Sequence, residues 1–174
     1  MKNLILLFFI SLSFNSFAQQ SEYDKLVEKG LQFLLQQNIP AAIIKYEQAY
    51  KLDSTRVEAN YGLGTAHQFY CIKNGAHCLT ALTYLNKAIK INDSYRNCYN
   101  NRGSIKNIIK NYKGAIEDYN KAILQYPTKS NYYLSRSYSY KGIGDKIKEC
   151  EDLKKAANLN NTNAKQLLIT SNCQ

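Results

Sequence analysis

Residues 99–127 read YNNRGSIKNIIKNYKGAIEDYNKAILQYP. Within them Gly103, Ala115 and Ala122 stand twelve and then seven residues apart. Gly30, Ala42 and Ala49 repeat both spacings. Gly30 to Gly64 is 34 residues, and Ala88, Ala122 and Ala156 follow one another at 34. A period of that length, with small residues at fixed offsets, marks a solenoid of helix-turn-helix repeats. The cause is steric, because two antiparallel helices approach closely only where facing side chains are small. Ala115, Ile116, Tyr119, Ala122 and Ile123 add a three-four spacing, one apolar helix stripe. No run alternates as a strand would, so the expected class is all-α.

Numbered so that the glycine falls at the eighth position, the repeats span 23–56, 57–95, 96–129 and 130–161. Repeat one carries Gly30, Phe33, Ala42, Tyr46 and Ala49 at the marked positions. Repeat two carries Leu63, Gly64, His67, Ala81, Leu85 and Ala88. Repeat three carries Tyr99, Gly103, Ala115, Tyr119, Ala122 and Pro127; repeat four carries Tyr133, Ser137, Tyr140, Leu153 and Ala156. This pattern resembles the tetratricopeptide repeat family, W-x2-L-G-x2-Y…A-x3-F…P. The resemblance covers nearly all of residues 19–174 and implies a right-handed solenoid of helix hairpins. Ala164, Leu167 and Leu168 supply a last apolar face for a capping helix over about 162–172. Ser21 with Asp24 is expected to cap the first helix. There are departures. Glu149 replaces a packing alanine, which predicts looser contact in repeat four. Repeat two is five residues longer than the others, the excess lying between Cys71 and Ala81.

The first 18 residues read as an export signal. Lys2 precedes the apolar run Leu4 to Ile10, and Ser16 and Ala18 are small at both cleavage-determining positions. The domain would then be 19–174, periplasmic or extracellular, and not integral to a membrane once processed. Removing the leader takes one lysine and no acid, so the net charge falls only from +10 to +9. Basic exported proteins meet anionic surfaces and acidic partners. The lysines are nevertheless scattered, without the runs that a nucleic-acid-binding tail shows, and no nucleic-acid partner is expected.

Export permits disulfides. On the hairpin layout, Cys71 ends a first helix and Cys78 lies in the inserted loop of the same repeat. Cys150 begins a second helix and Cys173 ends the antiparallel cap helix. The pairs Cys71–Cys78 and Cys150–Cys173 follow. Cys98 lies at the opposite pole from the first pair, as a half-buried thiol or, alternatively, an intermolecular link. A rival reading takes His67, Cys71, His77 and Cys78 as a tetrahedral zinc set. Against it, His67 fills the slot where the family packs an aromatic ring.

No catalytic constellation is present: no G-x-S-x-G, no H-E-x-x-H and no phosphate-binding glycine loop. Gly142 and Gly144 fall where a helix ends. The chain is therefore expected to be no enzyme and to need no cofactor. Arg102 and Arg136 occupy the seventh position of repeats three and four, and Asp118 and Asp152 the twenty-third; repeats one and two have neither. Their joint occurrence predicts Arg–Asp pairs across the hairpin or the repeat junction.

The resemblance implies a concave groove lined by first helices. Mapped by family position, repeat one presents Val27, Leu31, Leu34 and Leu35, and repeat two Tyr61, Thr65, Gln68 and Phe69. Repeat three presents Asn97, Asn100, Ser104, Asn107 and Ile108, and repeat four Asn131, Leu134, Tyr138 and Lys141. The groove is graded from apolar through aromatic to amide-rich. The Lys and Asn clamp that chaperone-binding relatives use on a terminal carboxylate is absent, Val27 and Leu31 standing in its place. The amides are either compositional drift or functional, since asparagine lowers helix propensity. The expected function is an exported binding module. Leu31, Leu34, Tyr61, Thr65, Phe69, Asn100, Ser104, Asn107, Tyr138 and Lys141 would contact a peptide, loop or helix of another protein. Two rival readings are a structural component binding through its ends or convex face, and a metal or enzymatic protein centred on the repeat-two insertion. Self-association remains open at this stage.

Overall fold

A computed structural model describes residues 2–95 and 97–173, with the backbone alone described for 2–18. The helices run α1 Lys2–Leu35, α2 Ile39–Leu52, α3 Val57–Asn74, α4 Cys78–Ile91, α5 Cys98–Ile108, α6 Tyr112–Gln125, α7 Ser130–Gly142, α8 Lys146–Asn158 and α9 Thr162–Thr170. Among the described residues there is no strand. Consecutive helices pack as hairpins, and α1, α3, α5 and α7 also touch one another in sequence. Those four form one layer, the second helices form the other, and α9 closes the end of α8.

The small residues lie at the hairpin crossings. Ala42, Ala81, Ala115, Ala49, Ala88 and Ala156 are all fully buried or nearly so. A Cβ on Gly30 would sit 2.8 Å from the Tyr46 ring, and one on Gly62 would sit 2.4 Å from the same ring. Tyr46 is thus a wedge held between α1 and α3, and only glycine leaves it room. Tyr119 meets Gly103 in the same way, at 3.0 Å. In repeat four Ser137 takes the glycine slot, is fully buried, and donates its hydroxyl to the Leu134 carbonyl at 2.7 Å.

Three of the four turns between paired helices share one chemistry, the α3–α4 turn lacking a side-chain cap. Gln37, Lys110 and Gly144 adopt left-handed backbone angles at equivalent positions. The next residue in each case caps the following helix. Asn38 accepts from the Ala41 amide, Asn111 from Gly114 and Asp145 from Lys148. These side chains satisfy amides that would otherwise lack partners.

Four local expectations need correction. Ser21 does not begin a helix: α1 runs through it from Lys2, with no breaking residue between. The leader-like residues 1–18 carry side chains outside the described set, so the cleavage signal is not visible in the fold. The extra residues of repeat two are not a loop. They prolong α3 to Asn74, where Gly75 ends it at φ +74°, and Cys78 becomes the first residue of α4. The cap helix ends at Thr170, so Cys173 lies in the tail beyond it. Glu149 does not loosen repeat four: it is buried, with its carboxylate 3.1 Å from Lys146 Nζ.

Arg102 donates to both Asp118 oxygens, at 2.9 and 2.6 Å, and to Asn86 Oδ1 at 2.8 Å. Arg136 repeats the arrangement with Asp152 at 2.8 and 2.7 Å and with Asn120 at 2.5 Å. Each guanidinium therefore spans its own hairpin and reaches the second helix of the preceding repeat. Lys106 adds a second cation to Asp118 at 2.9 Å.

Candidate partner-binding groove

Val27, Leu31 and Leu34 from α1 meet Tyr61 and Thr65 from α3 around a depression of about 120 Å³, closed by Tyr46, Glu58 and Tyr95. Four of the expected contact residues, Leu31, Leu34, Tyr61 and Thr65, thus come together. Leu31 is 36% exposed, and Phe69, one helical turn beyond Thr65 on α3, is 43% exposed. Tyr138 on α7 is 45% exposed and Lys141 is exposed beside it. Asn100, Ser104 and Asn107 on α5 are half-buried. These later residues do not join the apolar depression.

Two mapped positions turn inward instead. Gln68 is buried, and Leu134 packs with Leu153, Ala156 and Ala164 under the cap helix. Tyr61 is tied into the wall rather than standing clear of it: its ring meets Tyr95 edge-on at 5.4 Å, and Asn101 Nδ2 lies 3.4 Å from its hydroxyl. Replacing it would disturb repeat stacking, so it is not the neutral probe that its sequence position implied.

The amide-rich surface has a structural explanation. Asn101 donates to Thr65 Oγ1 at 3.2 Å, linking α5 to α3. Tyr132 donates to Asn97 Oδ1 at 2.6 Å, and Ser139 to Asn107 Oδ1 at 3.1 Å, linking α7 to α5. Asn161 donates to Asn131 Oδ1 at 2.8 Å, linking the cap to α7. Polar partners of this kind hold first helices in register where apolar packing is thin. Sequence reading missed Asn101, Tyr95 and Tyr132; the 34-residue period says nothing of contacts that differ from repeat to repeat.

The rival metal set takes another form. Cys71 and Cys78 are bonded to each other, and Cys150 is bonded to Cys173. Cys98 is buried outside both bridges, deeper than the half-buried position expected. The His67 and His77 rings stack at 5.2 Å and within 10° of parallel, and Tyr84 stacks on His67 at 5.9 Å. Parallel rings do not aim their nitrogens at one point. Among the described residues no three His, Cys, Asp or Glu side chains converge as ligands. Peptide mapping without reductant should recover 71–78 and 150–173 linked fragments. A fragment joining Cys98 to Cys71 or Cys78 would contradict the helix layout.

Burial lowers the His67 pKa below its usual 6.5, and His77 acts in the same direction, opposed by Glu47. The unfolded chain then binds the proton more readily. The site's stabilisation is present above the unfolded value and is lost as pH falls through it toward the folded value. The melting temperature should therefore drop between about pH 7.5 and 5, and His67→Phe should make that drop smaller. Equal drops in both proteins would contradict this role.

Stacked hairpins, a capping helix and a layer of first helices in contact with one another define a helical-repeat solenoid. Residues 97–129 match the family model of the tetratricopeptide repeat, and the described helices stack as a solenoid of tetratricopeptide-repeat type. It is similar to the crystal structure of MamA, with 26% identity and TM-score 0.72, over 85% of this chain and 84% of that one. It also resembles in fold PilF of Pseudomonas aeruginosa, at 19% identity and TM-score 0.70, over 82% of this chain and 63% of that one. A third match is a chain of the APC/C hetero-tetramer Cut9–Hcn1, at 18% identity and TM-score 0.76, over 86% of this chain and 30% of that one. No curated protein sequence matches the chain. Such a fold suggests a protein–protein interaction module.

Proposed function

We propose that the protein is an exported, non-enzymatic module that binds a peptide, loop or helix of an envelope or secreted protein in its concave groove. The observation that carries this reading is the apolar depression between α1 and α3, with Leu31 at its mouth and Phe69 beyond it. An apolar helix face or an extended segment with large side chains fits such a surface. The leader-like N-terminus and the two disulfides support an oxidising compartment outside the cytoplasm.

Leu31 and Phe69 are the proper probes, because both are exposed and neither lies in a hairpin core. Anchors of this type often contribute about 2 kcal/mol each to binding. Leu31→Ser with Phe69→Ala should then weaken partner binding at least about a hundredfold, at about 1.4 kcal/mol per decade. The melting temperature should stay near that of the parent. The measurement is affinity capture from envelope extract by parent and variant, quantified by mass spectrometry. Equal capture of the same partner by both would refute groove recognition.

A further inference from the structure

All four hairpin turns lie at one edge of the solenoid, because consecutive helices are antiparallel. That edge is unlike the rest of the surface. Leu35, Leu79 and Ile147 are 77%, 75% and 75% exposed there, and Ile72, Ile109 and Ile143 accompany them. Exposed lysines stand between them: Lys73, Lys110, Lys113 and Lys141, with Lys148 paired to Asp145. Leu79, Lys113 and Ile147 are the second residues of α4, α6 and α8, so apolar and cationic side chains alternate along the edge.

The acids at this edge are already engaged. Glu149 is buried against Lys146, and Asp145 caps α8 while pairing with Lys148 at 3.3 Å. Glu22, Asp24, Asp53, Glu58 and Asp93 all lie toward the opposite edge, where one second helix leads to the next first helix.

We infer that the hairpin-turn edge docks on a bilayer rich in anionic phospholipid. Aliphatic side chains at the turns enter the acyl boundary while the lysines meet lipid phosphates, the pairing that holds peripheral proteins at a charged interface. Neighbouring hairpins stack about 10 Å apart, so their tips follow one another along this edge. The attachment is peripheral, since among the described residues no helix is long and apolar enough to cross a membrane. None of these edge residues lines the apolar depression between α1 and α3, and the inference goes beyond that reading.

The test is co-sedimentation of the full chain with vesicles of equal phosphatidylglycerol and phosphatidylcholine, or of phosphatidylcholine alone. Lys2 and the N-terminal amine beside apolar residues 4–10 also favour anionic lipid, so the contribution of the edge is read as the difference between parent and edge variant, which share that segment. Binding should be at least about tenfold stronger to the anionic vesicles and should fall about tenfold in 0.5 M salt. Ile72→Ser, Leu79→Ser and Ile147→Ser together should weaken binding to the anionic vesicles several-fold, whereas Leu124→Ser, exposed on the outer face of α6, should leave it intact. Photoactivatable lipid should label peptides 72–80 and 143–148. Equal binding to both vesicles by the parent, or anionic-vesicle binding that the triple variant leaves unchanged, would overturn the proposal. So would labelling confined to the N-terminal segment; an acidic protein would then be the better occupant of this edge.

Discussion

Replacing Asp118 with alanine is expected to lower the unfolding free energy by about 3–5 kcal/mol, the usual cost of breaking a buried ion pair from one side. Asp118 is 2% exposed, and it receives both Arg102 nitrogens and Lys106. Its loss leaves two cations facing one another in a half-buried site, with only Asn86 to accept from Arg102. Arg102→Met combined with Asp118→Leu should cost much less, because the cation then left without its carboxylate, Lys106, is partly exposed. Urea titration of the single and double variants checks both statements. A loss below about 1 kcal/mol for Asp118→Ala would place this pair with exposed ion pairs and contradict its structural role.

Tyr46→Ala is expected to cost a similar amount, about 3–5 kcal/mol, as large aromatic-to-alanine changes in cores do. The Tyr46 ring is 3% exposed and fills the space between Gly30 of α1 and Gly62 of α3. Removing it separates the first hairpin from the second. The same geometry predicts strong coupling with Gly62. Alone, Gly62→Ala should cost about 1–3 kcal/mol by overpacking, because its Cβ would fall 2.4 Å from the ring. In the Tyr46→Ala background the same change should cost little. Additive losses would show that Gly62 is constrained by something other than this ring.

The hairpin crossings were legible because steric demands recur: Gly30, Gly64 and Gly103 each face a large side chain that admits no Cβ at ordinary contact distance. The Arg–Asp pairs were legible for the same reason, since two charges that keep a fixed separation in two repeats have to meet. The third arm of each cluster, Asn86 and Asn120, carried the same 34-residue signal. It was obscured because an exposed helix asparagine looks like any solvated residue. The insertion misled because its composition suggests a loop, yet nothing between Cys71 and Asn74 breaks a helix before Gly75 does.

The candidate site was only partly legible. Family position groups Leu31, Leu34, Tyr61 and Thr65, and the structure places all four around one depression. It failed for Gln68 and Leu134, because burial along the inner layer depends on the neighbouring repeat and not on register alone. The groove amides could not be interpreted from sequence, since their partners Tyr132, Ser139 and Asn161 lie in the next repeat or the cap.

Groove recognition is tested most directly by site-specific photo-crosslinking in the producing cells. A photoreactive residue at Leu31 should yield one discrete protein adduct, and Phe69→Ala should diminish it. The same residue at Leu124, exposed on the outer face, should yield none. Adducts from Leu124 with none from Leu31 would contradict the account and move recognition to the convex surface.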